Sequence, residues 1–241
     1  MKTIALDTAS DSLHLVLETD TTYASIVKSA GRRYSEELVP QMIALCTEAG
    51  IKLANLDLVI CANGPGSFTG LRIGMAASKG IAMAADIPLV SLSTLEVYYY
   101  PVRQMDIPVV SVLDAKKNRF YCAVFHQGVR LTPDFDSTPE ELCTHLTQFP
   151  TIFLTGPDAA IFAPKLIEAI AANDLNTLVV IDDLHHRDYG EALLALGKKL
   201  LLTRGPDDLG IGPTYIRKSE AELSLQERIA AESNQSRNQH G

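Results

Sequence analysis

The chain has 241 residues and contains no run of eighteen apolar residues, an absence that argues against a membrane-spanning segment. Its first residues, Met1 to Asp7, interrupt an apolar run with an aspartate, which is not the pattern of a secretory signal. Cysteines are few, form no C-x-x-C pair and stand in apolar surroundings, at Cys46, Cys61, Cys122 and Cys143. We therefore expect buried, reduced thiols in a cytoplasmic protein.

Basic side chains are in the minority. The 21 Lys and Arg residues stand against 29 Asp and Glu residues, which gives a formal net charge of −8. Non-specific affinity for nucleic acid comes mainly from neutralising phosphates with basic side chains. We therefore expect no strong direct binding of nucleic acid.

Histidines with the spacing of a metal site are also lacking, because no two stand four residues apart on a helix. The six histidines are the isolated His14, His126, His145 and His240 and the neighbours His185 and His186. The sequence therefore predicts no metal site.

The most informative stretch runs from Asp57 to Ala85. An apolar run at residues 58–62 predicts a buried strand, and the breakers that follow, residues 63–66, predict a tight turn. Ser67 or Thr69 can then cap a helix. The pattern G-x-x-x-x-G-K-[ST] is absent, so a structural turn is favoured by spacing alone, with a phosphate-binding loop as the alternative.

Small residues follow each other along this helix at four-residue spacing. One ridge is formed by Gly70, Gly74 and Ser78, and a second ridge by Ala76, Gly80 and Ala84. Glycine inside a helix costs about 1 kcal/mol relative to alanine, so the ridges need a packing or functional reason. They predict a helix that another backbone approaches closely.

The rest of the chain alternates between strands and helices. In the first half we predict strands at 2–7, 12–19 and 21–29, a helix at 35–49, a strand at 87–92 and a helix to residue 100. In the second half we predict strands at 109–113, 120–126, 129–132 and 177–181, and helices at 138–147, 158–172 and 188–202. The predicted domains are residues 1–103 and 104–218, followed by a C-terminal helix and tail at 219–241.

This order resembles the α/β fold shared by actin, Hsp70 and sugar kinases, with two tandem βββαβα-type lobes. The sequence GPGSFTGLRIG at residues 64–74 resembles the signature of the TsaB (YeaZ) family. Three further segments resemble family motifs: residues 35–40 (SEELVP, after Tyr34 where the family usually has histidine), 114–117 (DAKK) and 213–217 (PTYIR). The four motifs span most of the chain in the family's order.

The resemblance implies a non-catalytic scaffold in the synthesis of N6-threonylcarbamoyladenosine (t6A) in tRNA. It implies binding to the transferase TsaD through the helices that begin near Ser35 and Thr69, recruitment of the ATPase TsaE with it, and a homodimer when TsaD is absent. We predict the partner interface to be Leu38, Met42, Cys46, Gly70, Arg72, Gly74, Met75, Ser78 and Lys79. On this interpretation Gly74→Arg would block pairing and leave the fold mostly intact.

A second interpretation is a small ATP-dependent kinase or hydrolase of the actin-like superfamily. Asp7 and Asp114 each follow an apolar strand. An aspartate at such a position can hold magnesium or activate a hydroxyl. The alternative is that it simply caps a turn. With Thr8 and Ser10 the two aspartates define a predicted vestigial nucleotide cleft. We expect no cofactor beyond weak ATP binding there.

Overall fold

The computed structural model describes residues 1–29, 34–184 and 187–217. The first half of the chain forms a five-stranded sheet of order β3-β2-β1-β4-β5, in which β1, β2 and β3 are antiparallel and β1, β4 and β5 parallel. Its strands are β1 (Thr3–Asp7), β2 (Ser12–Glu18), β3 (Tyr23–Ser29), β4 (Leu58–Gly64) and β5 (Leu89–Ser93). Its helices are α1 (Tyr34–Glu48) and α2 (Phe68–Ala85), with a single 3-10 turn at Leu53–Asn55.

The second half repeats this arrangement. A short helix, α3 (Thr94–Tyr99), and a 3-10 turn at Tyr100–Val102 lead into a sheet of order β11-β10-β6-β7-β8, with β9 on β7. Its strands are β6 (Val109–Asp114), β7 (Phe120–His126), β8 (Val129–Arg130), β9 (Phe135–Ser137), β10 (Thr151–Thr155) and β11 (Leu178–Ile181). The helices of this half are α4 (Pro139–Leu146), α5 (Ala159–Ala172) and α6 (Gly190–Arg204).

The two sheets have the same topology when the strands of each are named from its antiparallel end. β8-β7-β6-β10-β11 matches β3-β2-β1-β4-β5 strand for strand, including the directions of pairing. The predicted duplication is therefore confirmed at the level of strand order. The strands β9 and β10 were not predicted. The three residues of β9 carry too short a pattern to show a period, and β10 is a short, largely apolar run whose pattern does not distinguish a strand from a buried helix.

Among the described residues, three clusters of buried side chains stabilise the two halves. One lies between the first sheet and the pair α1 and α2, and one lies between the second sheet and the pair α4 and α5. The third continues from the first half into the second, from Val16 and Ile60 to Val109 and Phe125, with α3 between the sheets.

The last helix, α6, comes after the second sheet in sequence but packs against the first sheet. α6 packs on β1, β4 and β5 of the first sheet, and Gly197 allows this close approach because an added Cβ would lie 2.5 Å from the Ile60 side chain. By packing, therefore, α6 belongs with the first sheet, which the predicted boundary between residues 103 and 104 does not capture. The predicted C-terminal helix and tail at 219–241 lie outside the described residues.

After α6, residues 205–217 return along the ends of β4 and β5, and we call this segment the strap. Asp207 accepts hydrogen bonds from the Ser91 backbone nitrogen (2.5 Å) and from its Oγ (2.6 Å), and the Thr214 amide donates to the Asn63 carbonyl over 2.7 Å. At its end, Arg217 donates to the Ala115 carbonyl of the second half. The strap thus connects the ends of strands in the two sheets.

Candidate functional site: the outer face of α1 and α2

The first small-residue ridge of α2 faces the protein's own interior. Ser67 caps the helix by accepting a hydrogen bond from the Gly70 amide. The next turns then lie against the end of β1, where Thr8 Oγ1 donates to the Gly70 carbonyl over 2.8 Å. An added Cβ at Gly70 would meet the Thr8 carbonyl, and one at Gly74 would meet Thr8 Oγ1 and, at 3.2 Å, Leu6. The backbone that approaches this ridge closely is therefore that of β1.

This packing corrects the predicted interface. Seven of its nine residues are buried within the first half: Leu38, Met42, Cys46, Gly70, Gly74, Met75 and Ser78. They cannot form a surface that another protein meets. The expectation that Gly74→Arg leaves the fold intact is wrong for the same reason, because no space exists for even a Cβ. Arg72 and Lys79 remain accessible.

The second ridge, Ala76, Gly80 and Ala84, lies on the exposed side of α2. Beside it runs a groove of about 400 Å³ between α2, α1 and the 3-10 turn. The groove is lined by Val39, Leu53, Ala54, Ala77, Gly80, Ile81, Ala84 and Ala85, none of which carries a polar side chain. An added Cβ at Gly80 would meet no atom within 4 Å, so this glycine leaves open space.

Both helices also carry exposed large apolar side chains, of which Val39 lines the groove. Val39 and Ile43 on α1 are 44% and 49% exposed, and Met83 on α2 is 67% exposed. We call the groove together with these three residues the outer face. A contiguous exposed apolar surface of this kind marks an interaction site in a soluble protein. The predicted interface residues and the outer face lie on the same two helices but on different sides of each, because both helices are apolar on two sides.

A cluster of aromatic and basic side chains stands at the beginning of α2. The rings of Phe68 and Tyr215 stack with their centroids 4.6 Å apart, and the Arg72 guanidinium lies 3.9 Å from the Phe68 centroid. Arg72 Nε also donates to the Tyr215 hydroxyl over 3.0 Å. The cluster fixes the strap against α2 and is itself partly exposed.

The first side of the predicted nucleotide cleft is formed by Asp7, Thr8 and Ser10. In the structure, the side chains of Asp7 and Thr8 form hydrogen bonds within the protein. The Asp7 carboxylate is fully buried and accepts hydrogen bonds from the Ala9 amide (2.7 Å) and the Tyr98 hydroxyl (3.0 Å). Burial raises the pKa of Asp7 above its usual value of 3.8. Ser10 is also buried, and Thr8 is bonded to α2 as described above. Asp7 therefore has the environment of a structural carboxyl rather than of an accessible metal ligand.

Asp114 is the last residue of β6, on the second side of the predicted cleft. Its carboxylate accepts from the Lys116 amide (2.7 Å) and from Lys116 Nζ (2.9 Å). Its amide donates to the Asp158 carboxylate over 2.8 Å, and burial raises the pKa of Asp158. Asp114 thus closes a turn, which is the alternative that the sequence left open.

Sequence reasoning gave no role to His14, which the structure places beside this cleft. His14 is directly opposite Asp7 in the β1–β2 ladder and is 4% exposed. Among the described residues, its Nδ1 has no hydrogen-bond partner. Burial lowers the pKa of His14 below 6.5, although the carboxylates of Asp7 and Asp188 oppose this effect. The alternation of β2 could have placed His14 on a buried side, but not next to Asp7.

Metal ligands are not gathered anywhere in the three described ranges, where no group of three His, Cys, Asp or Glu side chains could hold an ion. His185, His186 and His240 lie outside these ranges. All four cysteines are free and buried. In the same ranges, no helix has the length and apolar character needed to cross a membrane.

The repeated sheet topology, with helices on the outer faces, defines an α/β protein of the actin-like class. A structure described as YeaZ from Pseudomonas aeruginosa superposes with a TM-score of 0.72 at 22% identity, over 89% of this chain and 99% of that one. This likeness shows the fold, and the predicted fold class is confirmed.

Sequence comparisons narrow the class to a family. A family model described as TsaD, tRNA N6-adenosine threonylcarbamoyltransferase, matches residues 22–152. The chain is 25% identical over 229 residues to the tRNA threonylcarbamoyladenosine biosynthesis protein TsaB of Bacillus subtilis, covering 92% of this chain and 96% of that protein. It is 27% identical over 129 residues to the TsaB of Escherichia coli, covering 53% and 56% of the two chains. The chain belongs to the TsaB (YeaZ) family, as its motifs predicted.

Proposed function

We propose that this protein is a non-catalytic subunit of the machinery that synthesises t6A in tRNA, and that its outer face docks onto TsaD. The observation that carries the proposal is the exposed apolar groove between α1 and α2, bordered by a ridge of small residues. Such a ridge allows the helices of another protein to approach at short distance, so that apolar area is buried with good packing. Related proteins are named for a role in this biosynthesis.

The other expected partners are inferred from the net charge of the chain, the symmetry of its outer face and its family resemblance. The net charge of −8 is unfavourable for holding tRNA, so tRNA is bound by other subunits. A face built from two parallel stripes is self-complementary, and two copies of this chain pair through it when TsaD is absent. Recruitment of TsaE together with TsaD rests on the family resemblance, as does the cytoplasmic location.

The first test compares two arginine substitutions at exposed small residues. The Cβ of Gly80→Arg would meet no atom of the fold within 4 Å, and its long side chain adds a charge to the groove. Ala171→Arg adds the same charge at an exposed position of α5 in the second half. We expect Gly80→Arg to abolish co-elution with TsaD and Ala171→Arg to retain it, with both variants unfolding at the wild-type urea concentration. Co-elution of both would exclude this face.

The second test addresses function directly. Incorporation of labelled threonine into tRNA is measured with ATP, bicarbonate, the adenylate-forming enzyme, TsaD and TsaE, with and without this chain. We expect incorporation to need the chain, and the chain not to replace TsaD. Unchanged incorporation in its absence would remove the proposed role.

The alternative of an ATP-dependent kinase or hydrolase loses support from the surroundings of Asp7. An aspartate that is buried, hydrogen-bonded and shifted toward its protonated form cannot reach a magnesium ion without opening the turn between β1 and β2. Calorimetry with Mg-ATP separates the two functions. Micromolar binding would favour the enzyme, and weak or no binding agrees with the scaffold.

A further inference from the structure

The second ridge of α2 separates two sides of that helix that differ in chemistry. On one side lies the apolar groove. On the other side stand Arg72, Lys79 and Met83, which a rotation of about 100° per residue places within about 40° of one another around the helix. Arg72 and Lys79 are the two charged residues of α2, and their seven-residue separation corresponds to about 10.5 Å along the helix axis. We call this the cationic side of α2.

The guanidinium of Arg72 is held in one position by its neighbours. Its carbon lies 3.9 Å from the centroid of the Phe68 ring and 5.9 Å from that of the Tyr215 ring, and its Nε donates to the Tyr215 hydroxyl. This bond uses one of the five N–H donors of an arginine. Among the described residues, no carboxylate pairs with Arg72, and its two terminal nitrogens have no hydrogen-bond partner. The fixed group therefore presents a planar fork to an acceptor from outside, and little further ordering is needed for binding.

Lys79 completes the cationic side one heptad further along α2. Its side chain is half-buried, so the methylene stem packs on the helix surface. Within the described ranges its ammonium has no carboxylate partner. The cationic side thus carries two positive groups at a fixed spacing, beside an apolar groove, on a protein whose net charge is −8.

We propose that the cationic side of α2 binds a helix of TsaD that carries two carboxylates seven residues apart, one for Arg72 and one for Lys79. The inference rests on the proposed function and names the chemistry of the helix that docks there. A helix laid along the second ridge places apolar side chains in the groove with one flank and its carboxylates against the two cations with the other. Charges that flank an apolar seam in this way set the choice and the orientation of a partner helix.

A phosphate backbone is the other acceptor that suits an arginine fork. It is disfavoured here, because a nucleic-acid backbone has no apolar side to bury in the adjoining groove. The acidic chain as a whole also repels phosphates. An amphipathic acidic helix satisfies both the groove and the cations.

The carboxylates are located with a carbodiimide, which joins a lysine amine directly to a carboxylate in contact with it. The complex with TsaD is treated as wild type, where Lys79 supplies the amine, and as Arg72→Lys, which supplies a second amine. Lys199 is an internal control, because it is exposed on α6, on the other face of the first sheet. We expect both positions on α2 to be linked to TsaD carboxylates that are seven residues apart, and Lys199 not to be linked. Co-elution without links from α2, or links to carboxylates at another spacing, would overturn the proposal.

Binding of TsaD at several salt concentrations tests the energetic role of the same charges. We expect Arg72→Gln and Lys79→Gln each to bind roughly three- to thirtyfold more weakly than wild type at low ionic strength and to show a weaker salt dependence. Lys199→Gln should bind like wild type. Tyr215→Phe removes the bond to Arg72 Nε but keeps the charge, so it should retain the wild-type salt dependence, which a purely structural role of Arg72 would not require.

The outcomes separate this inference from the proposed function. If wild type binds TsaD and the two glutamine variants keep its affinity and salt dependence, the inference is overturned and the proposed function stands. If these variants bind TsaD normally but the complex loses tRNA, the acceptors are phosphates, and the inference is again overturned. If wild type does not bind TsaD at all, the proposed function fails, and this inference fails with it.

Discussion

Thr8 and Gly70 hold each other through one hydrogen bond, in which Thr8 Oγ1 donates to the Gly70 carbonyl over 2.8 Å. This contact joins the end of β1 to the first turn of α2. It is also the reason that the first small-residue ridge exists, because a side chain at Gly70 or Gly74 would occupy the space of Thr8. The two ridges of α2 therefore have different roles, one in the fold and one on the outer face.

This difference predicts opposite effects of alanine at two glycines of one helix. Gly74→Ala forces a methyl group against Thr8 and Leu6, and we expect the free energy of unfolding to fall by about 1–3 kcal/mol. Gly80→Ala, the matched control, meets no atom and improves helix propensity, so stability should rise by up to about 1 kcal/mol. Urea unfolding followed by circular dichroism measures both. Equal effects at the two positions would contradict the assignment of the ridges.

A second prediction concerns the carboxylate that holds the strap. Asp207→Ala leaves the amide and hydroxyl of the buried Ser91 without this acceptor, and we expect stability to fall by about 1–3 kcal/mol. Asp208→Ala is the control, because within the described ranges the carboxylate of this neighbour accepts only from the exposed Gly210 amide. Urea midpoints that shift equally in the two variants would show that the bonds between Asp207 and Ser91 do not add to the stability of the fold.

A third prediction follows from the buried His14. Its folded-state pKa lies below 6.5, so the folded protein binds fewer protons than the unfolded chain. The resulting stability is present above pH 6.5 and is lost as the pH falls through the folded-state pKa. We expect the free energy of unfolding to decrease between pH 7 and pH 5, and to decrease less in His14→Gln. An unchanged slope in this variant would locate the titration elsewhere.

The cysteines give a fourth prediction. Burial raises the pKa of Cys61 to about 12 and also raises the pKa values of Cys46, Cys122 and Cys143, so the reactive thiolate is scarce at pH 8. We expect Ellman's reagent to modify the folded protein far more slowly than the protein in 8 M urea (roughly a hundredfold, in line with the small open fraction of a stable domain). Rapid reaction of one thiol in the folded state would mean that its surroundings open locally.

Much of the fold could be predicted from sequence because its signals are local. The helix α2 begins after Ser67, one of the two predicted caps, and β7 has the predicted bounds. The direction in which α1 and α2 face could not be predicted, because Leu38 and Val39 begin two apolar stripes on one helix. The sequence likewise cannot show that Asp7 meets Tyr98, since these residues are distant along the chain and meet only through packing of α3.

The buried cluster that runs from Val16 and Ile60 into Val109 and Phe125 has a mechanical consequence. Two lobes that share one core cannot rotate about a hinge without exposing it, and they should unfold together in one transition. The angle between the two sheets is therefore fixed when the protein folds and stays constant in the folded state. The outer face therefore keeps one orientation relative to the second sheet in the folded protein.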